Sequence, residues 1–416
     1  MRILIYGLNY APELTGVGKY TAEMAEALQQ LGHDVHVVCA PPYYPQWKIA
    51  PGFSRWHGSR ETINKVLVMR APLWVPGRPS GLKRLIHLVS FAAASLPTLA
   101  TQAFWRADVI MTIAPSLVNA PAALALARLT GARSWLHIQD FEVDAAVELG
   151  MLKKTQAGRV ALAAERALLC RFDVVSTISA KMAERIVIKG VPSSNVFSLP
   201  NWVDVSAIYP LHQPNRYRAE LDIPDDAKVV LYSGTMGAKQ GLEVLADAAE
   251  ALSARQDIVF VFCGNGPARE QLLERCDRLD NCRFIPLQPA ARLNELLNLA
   301  DLHVLPQRRG AADLVMPSKL TGMFASGRAV IAMAPPGTEL YNVVAPRGVT
   351  VAPEDLDALT AAIEALVADS ERLGLLGAQG RSFAESDLSP AAVFGRLDER
   401  LRSMEGRRAV VRSTSG

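Results

Sequence analysis

Net charge is what this chain of 416 residues most conspicuously lacks: 44 Lys and Arg stand against 41 Asp and Glu, too near balance for nucleic-acid binding by bulk charge. Cysteine is sparse as well. The five present, Cys39, Cys170, Cys263, Cys276 and Cys282, are scattered, odd in number and without metal-ligand spacing. That pattern argues against disulfides and zinc, and for reduced thiols in a cytosolic compartment. The first apolar run, Ile3 to Tyr6, is too short for a signal peptide, so export by that route is not expected. The full spaced-glycine fingerprint of dinucleotide binders is missing, which disfavours a nicotinamide dehydrogenase. No solenoid period or low-complexity block is visible.

Apolar material is plentiful. Half of the residues are hydrophobic and 20% are charged, enough to bury real cores, and the length suits two or three domains of about 100–200 residues each. Charge is unevenly spread: residues 1 to 200 carry 21 basic and 13 acidic side chains, so the front half is basic and the remainder acidic. One long uncharged stretch, Leu85 to Phe104, follows Lys83 and Arg84 and reaches the minimum length for a membrane span. Pro97 and six polar residues within it weigh against spanning, and leave a core helix or a helix lying on an anionic bilayer surface as the readings.

Short β-branched runs alternate with longer Ala/Leu-rich stretches of helical period, the sign of parallel sheets wrapped by helices. Strands are expected at Arg2 to Tyr6, Val35 to Cys39, Val66 to Arg70, Val109 to Ile113, Ser134 to Ile138 and Val174 to Ile178, with a helix over Tyr20 to Leu31. After a Pro- and Asn-rich stretch, Leu199 to Pro214, the pattern restarts with Val229 to Ser233, Val259 to Cys263, Cys282 to Ile285, Leu302 to Leu305, Ala329 to Met333 and Gly348 to Val351. The expected fold class is α/β, with two tandem Rossmann-like, doubly wound parallel-sheet domains and an interdomain cleft; ligands in such sheets sit beyond the carboxyl ends of the strands. Arg407 to Gly416 reads as a flexible tail.

Several strand-to-helix turns suit an anion. Gly16, Val17 and Gly18 precede the first helix, where backbone amides and the helix dipole favour negative charge, though a merely flexible turn is equally compatible. Gly234, Thr235 and the glycines up to Gly241 surround Lys239, a cation fitted to offset charge on a departing diphosphate, unless it is an ordinary solvated lysine. Gly264, Asn265 and Gly266 form a second tight turn on the same sheet edge. Pro317, Ser318 and Lys319 open a helix, putting a further cation and free amides there. Together these point to a nucleotide diphosphate held by the second domain. His137, Asp140 and Glu142 lie just past the strand Ser134 to Ile138; His137 reads either as a polar site residue or as a core histidine, and Asp140 and Glu142 either as acceptor contacts or as helix caps.

These motifs, in this order and spacing, resemble the family 4 retaining glycosyltransferases of the GT-B fold over nearly the whole chain. The resemblance is carried by Gly16-Val17-Gly18, Gly32-His33-Asp34-Val35, Leu199-Pro200-Asn201-Trp202-Val203-Asp204, the turns at Gly234 and Gly264 to Pro267, Ala300-Asp301-Leu302 and Ala325-Ser326-Gly327-Arg328. Asp313 to Thr321 and Gln139-Asp140 to Gly150 look most like colanic acid biosynthesis enzymes thought to transfer fucose. The resemblance implies an acceptor domain over 1–205, a donor domain over 206–385, a C-terminal helix over 386–406 and a tail over 407–416. It implies sugar transfer from a nucleotide-diphosphate sugar, GDP-fucose-like, with retention, no bound metal and no cofactor. Separately, the basic front half and the apolar, cation-fronted residues 83–104 suit a saccharide acceptor that is lipid-linked, reached from the cytoplasm at the inner membrane face, with peripheral contact to anionic lipid.

Two departures stand out. The paired glutamates of many relatives align with Leu314 and Gly322, and an arginine common after the glycine aligned with Gly234 is Thr235 here. Asp313, Lys319, Arg308, Arg309 and Glu339 are the candidate replacements. The roles expected are Asp140, His137 and Lys239 in catalysis and Asp140 and Glu142 on the acceptor, with the glycine turns, Thr235, Asn265, Pro317, Ser318, Lys319 and Glu339 on the donor. A GT-B nucleotide-sugar epimerase and a weakly active nucleotide-binding subunit are the rival readings.

Overall fold

The computed structural model describes residues 1–13, 16–78, 80–141, 156–237, 240–309 and 317–413. Its contacts divide the chain into two units, Met1–Leu199 with Phe394–Gly416, and Pro200–Val393.

The strands of the first unit are β1 (Arg2–Tyr6), β2 (Asp34–Cys39), β3 (Ser59–Ile63), β4 (Val66–Arg70), β5 (Val109–Ala114), β6 (Arg133–Ile138), β7 (Val174–Thr177) and β8 (Val196–Ser198). They form one sheet in the order β3-β4-β2-β1-β5-β6-β7-β8, parallel except for β3, which pairs antiparallel with β4. Central strands such as β5 are buried along their whole length, as a sheet covered on both faces requires. The edge strands β3 and β8 are not anticipated by the periodicity. β3 is mostly polar and β8 is only three residues long, and neither has a fully buried residue, because an edge strand has little apolar surface to bury.

Helix α1 (Gly16–Gln30) starts four residues earlier than the sequence predicts, so Gly16 and Gly18 belong to its first turn rather than to a preceding loop. Helices α2 (Gly81–Ala94) and α3 (Leu96–Trp105) fill the uncharged stretch, broken at Ser95 with Pro97 in the opening turn of the second. Helix α4 (Ala120–Thr130) follows β5. The last helix, Pro390–Ser413, returns to this unit, where His33 Nε2 lies 2.8 Å from Asp398 Oδ1 and Arg400 Nη2 donates to the Ser194 carbonyl at 2.9 Å. Its helical backbone runs past Gly395 and Gly406 to Ser413, so residues 407–413, expected as part of the tail, are helical.

The second unit holds β9 (Lys228–Ser233), β10 (Ile258–Cys263), β11 (Cys282–Ile285), β12 (Leu302–Leu305), β13 (Ala329–Met333) and β14 (Val349–Val351), all parallel, in the order β11-β10-β9-β12-β13-β14. Counted from β9 this is the doubly wound order 3-2-1-4-5-6, whose direction reverses between β9 and β12. The side chains of Tyr232, Phe260, Phe262, Val304 and Ile331 fill one face of the sheet against Leu245, Ala249 and Ile363. The first unit repeats this order across β4-β2-β1-β5-β6-β7, reversing between β1 and β5.

Candidate active site

In the second unit the candidate side chains that the structure describes gather where the strand order reverses. Strand β9 ends at Ser233 and enters Gly234, whose φ of +141° falls in the region that favours glycine. Two backbone hydrogen bonds zip this turn to the one after β10: Gly234 N–H to the Cys263 carbonyl and Met236 N–H to the Asn265 carbonyl, both 2.9 Å. The approach is so close that a Cβ on Gly264 would lie 1.9 Å from the Gly234 carbonyl oxygen, and one on Gly266 would lie 2.2 Å from that of Met236. The three glycines therefore make one double turn.

Above that turn lies Lys319, the second residue of the helix Ser318–Ala325. Its Nζ donates to Tyr232 Oη at 3.1 Å and sits 4.3 Å from the centroid of the same ring. Tyr232 Oη in turn donates to the Thr235 carbonyl at 2.6 Å. The ammonium is also 3.3 Å from where a Gly234 Cβ would stand, so here too glycine makes room. Among the described residues no carboxylate pairs with Lys319, and burial lowers its pKa to about 8. Burial raises the Tyr232 phenol far above its usual range, so the hydroxyl stays neutral and accepts from the lysine. Pro317 caps the helix without a side-chain acceptor, so its first amides add to the positive character of the spot.

The other donor candidates of this unit divide clearly. Thr235, Asn265 and Ser318 are exposed around the turns. Glu339 is buried at the start of the helix Glu339–Val344, behind Thr338, whose side chain caps it. Arg308 is engaged by Glu243 at 2.6 Å and Arg309 lies 4.0 Å from Glu354, so neither is a ready substitute for a missing donor contact. A Cβ at Gly322 would meet Leu297 Cδ1 at 3.2 Å, leaving little room for a longer side chain at that aligned position. Lys239, Asp313 and Leu314 lie outside the described residues, as does Glu142 of the first unit.

In the first unit, the loop from β1 to α1 is organised by Glu13, which the sequence reading passed over. Its Oε1 accepts from the amides of Tyr43 and Tyr44, each at 3.0 Å, and its Oε2 accepts from Asn9 Nδ2 at 2.9 Å. A Cβ on Gly18 would fall 2.6 Å from that Oε2, so Gly18 is demanded by the carboxylate behind it. Gly16 has φ +64°, and Val17 accepts from Thr21 Oγ1 at 2.7 Å through its carbonyl. These contacts fix the direction in which the first amides of α1 point.

Asp140 is exposed two residues past β6. His137 is not: it is a core residue of β6 with both ring nitrogens engaged. Gln139 Nε2 donates to its Nε2, so the ring proton belongs on Nδ1, which faces Ser176 Oγ; both distances are 2.9 Å. Trp135 Nε1 donates to the same Ser176 oxygen at 2.7 Å. Burial pushes the His137 pKa down to about 4, leaving the ring neutral at physiological pH and fitted to orient Gln139 rather than to exchange protons. The sequence offered one usable signal for Tyr232 and none for the Glu13 network. A Tyr at the penultimate position of a strand leading into Gly is a recognisable neighbour for a ligand turn, whereas Tyr43 and Tyr44 are about thirty residues from Glu13.

Two families match the chain: "Glycosyl transferase 4-like domain" over residues 15–202 and "Glycosyl transferases group 1" over residues 214–383. Among relatives, the putative colanic acid biosynthesis glycosyl transferase WcaI of Escherichia coli K12 is 44% identical over 373 residues, covering 87% of this chain and 91% of that protein. The alpha-D-kanosaminyltransferase of Streptomyces kanamyceticus is 28% identical over 151 residues, 35% of this chain and 38% of its own. Among solved structures, sucrose-phosphate synthase from Thermosynechococcus elongatus superposes with a TM-score of 0.74 at 20% identity, covering 98% of this chain and all of the other. Anabaena HepE in complex with UDP and glucose does so at 0.65 and 14% identity, covering 97% and 100%. The order of strands in both sheets and these matches together establish that the chain belongs to the family 4 glycosyltransferases and has the GT-B fold.

Proposed function

We propose that this protein transfers a sugar from a nucleotide-diphosphate sugar, GDP-fucose-like, to a lipid-linked saccharide during assembly of an extracellular polysaccharide, at the inner face of the cytoplasmic membrane. The observation that carries the reading is Lys319, a largely buried ammonium with no described carboxylate partner, held over a double glycine turn at the switch point of a doubly wound sheet. The polysaccharide context is supported by the name of the relative that is 44% identical.

In this reading the bond from the anomeric carbon to the diphosphate breaks, and its electron pair goes to the departing oxygen. The acceptor hydroxyl adds to that carbon on the same face and passes its proton to the departing phosphate oxygen, so configuration is retained. The transition state resembles an oxocarbenium ion beside a diphosphate that is gaining a further negative charge, and fixed cations and amides aimed at the leaving oxygens supply most of the stabilisation. Lys319 and Lys239 serve that end without a metal. Those amides of the Gly234 and Gly264 turns that are not used in bonding the two turns and the sheet together lie against the diphosphate, and the start of α1 offers further donors of the same kind. Asp140 contacts the acceptor or the sugar, with Gln139 and His137 behind it as positioning residues. Screening GDP- and UDP-sugars by thermal shift, then assaying turnover with a lipid-linked acceptor extract, tests the reading; Lys239→Ala should lose the nucleotide-induced stabilisation. If no nucleoside diphosphate shifts the melting transition, the reading fails.

Nucleotide affinity should also depend on pH in a particular direction. Free Lys319, with its pKa lowered to about 8, loses its proton as pH rises through that value. A bound diphosphate favours the charged form and raises the pKa again, so binding takes up a proton above pH 8 and affinity should fall by about tenfold per pH unit there. Titration calorimetry between pH 7 and 9.5 checks this; an affinity flat across that range would remove Lys319 from the anion site. A nucleotide-binding subunit with weak turnover stays the second reading because of the crowded Gly322 position. Donor incubated with and without acceptor separates transfer, binding alone, and the epimerase outcome in which the sugar changes with no acceptor present.

A further inference from the structure

We infer that α2 is an interfacial membrane helix, with its outward face resting on an anionic lipid bilayer. The inference gives a partner to the lipid-linked acceptor reading, but its evidence is independent of that reading. Every third or fourth residue along the outward face is apolar and exposed: Leu82 (71%), Leu85 (51%), Ile86 (47%) and Val89 (47%), followed by Leu96 (51%) beyond the break. This is the spacing of one helical stripe, and it faces solvent. A soluble surface helix turns such a stripe inward.

The inward side is already occupied. Phe91 is fully buried with its ring centroid 5.8 Å from that of Tyr6, His87 Nδ1 lies 2.7 Å from the Trp74 carbonyl oxygen, and Ser95 Oγ lies 2.7 Å from Tyr6 Oη. In α3, Leu99 is buried and Gln102 Oε1 lies 2.9 Å from His36 Nδ1. The stretch Gly81–Trp105 has the length and composition of a span, but spanning would tear out all of these contacts and expose β1 and β2. Lying flat keeps the contacts and covers only the outward stripe.

Charge selects the occupant. Between Glu61 and Asp108 the chain has no acidic residue and six basic ones, Lys65, Arg70, Arg78, Lys83, Arg84 and Arg106. All but Arg70 are exposed. Lys83 and Arg84 stand in the first turn of α2, where the helix dipole disfavours cations, and no acidic residue offsets them there. Lipid phosphates beside that turn would complement both the cations and the free amides. A second copy of the chain is a poorer occupant, since a two-fold contact through this face would set Lys83 and Arg84 close to their own copies.

The test uses the full chain and vesicles of phosphatidylcholine with or without phosphatidylglycerol, in a sedimentation assay at low and high salt, with light scattering of the free protein. The wild type should pellet with the anionic vesicles at low salt. Lys83→Ser with Arg84→Ser should cut partitioning by roughly tenfold or more. Leu85→Glu with Ile86→Glu should do the same at either salt concentration, with an unchanged melting transition because both positions are exposed. Wild-type protein left in the supernatant with anionic vesicles would overturn the inference, as would vesicle binding unaffected by either double variant, or Leu85→Glu converting a dimer to a monomer. The acceptor reading fails separately: vesicle binding without sugar transfer sinks that reading alone, and transfer to a detergent-dispersed acceptor without vesicle binding sinks the docking surface alone.

Discussion

Lys319→Ala should lower kcat/KM by about 10²- to 10³-fold, the usual cost of removing one preorganised charge stabiliser from a transition state. The effect should be large because this ammonium is placed by the fold: the helix Ser318–Ala325 fixes its backbone, and Tyr232 holds its head through one hydrogen bond of 3.1 Å and a ring face at 4.3 Å. Tyr232→Phe separates holding from charge. The ring remains, while the hydroxyl that links Lys319 to the Thr235 carbonyl is lost. A loss of about tenfold, expressed mainly in KM for the donor, is expected for one hydrogen bond to a charged group. Steady-state kinetics with thermal shift on GDP and UDP check both variants. If Lys319→Ala binds and turns over donor like the wild type, the diphosphate is held elsewhere.

Gly264→Ala should be the most destabilising of the small substitutions in the second unit, by roughly 4 kcal/mol. A residue other than glycine at φ +149° carries about 1–3 kcal/mol of backbone strain. The new Cβ would also stand 1.9 Å from a backbone oxygen that no rotamer change can move, so the two turns must part. Parting them breaks the hydrogen bonds Gly234 N–H to Cys263 and Met236 N–H to Asn265, each worth about 1 kcal/mol. The melting transition of this unit should fall by about 10 °C, and nucleotide-induced stabilisation should disappear with the double turn. Gly374→Ala is the control. That glycine lies in the helix Ser370–Asp387 with nothing within 4 Å of an added Cβ and no positive φ, so alanine there should stabilise by about 0.5–1 kcal/mol. Equal melting temperatures for the two variants would refute the assignment of Gly264 to a close backbone approach.

Much of this architecture is legible along the chain because each strand of a sheet covered on both faces must be apolar throughout. The run Ile258–Cys263 announces β10 for that reason, and the glycines after β9 and β10 announce turns. The edge strands β3 and β8 carry no such mark, since half of each faces water and their pairing is decided by neighbours. Lys319 is visible as a basic residue at a helix start. Its state is not: that it lies on a phenol ring, opposite Gly234, and titrates near pH 8 depends on a contact spanning 87 residues of chain. His137 shows the same division in reverse. Its place at a strand end suggests chemistry, and only its burial and its two partners make it a neutral support.

The sequence by itself determined the two α/β halves, the position of the glycine turns and the apolar run fronted by Lys83 and Arg84, because periodicity and backbone freedom are local properties that each segment carries with it. Tertiary structure alone decided that Lys319 is held over the Gly234 turn, that His137 is silenced and which side of α2 faces water. Charge state and exposure depend on what packs against a residue, and those neighbours come from distant parts of the chain.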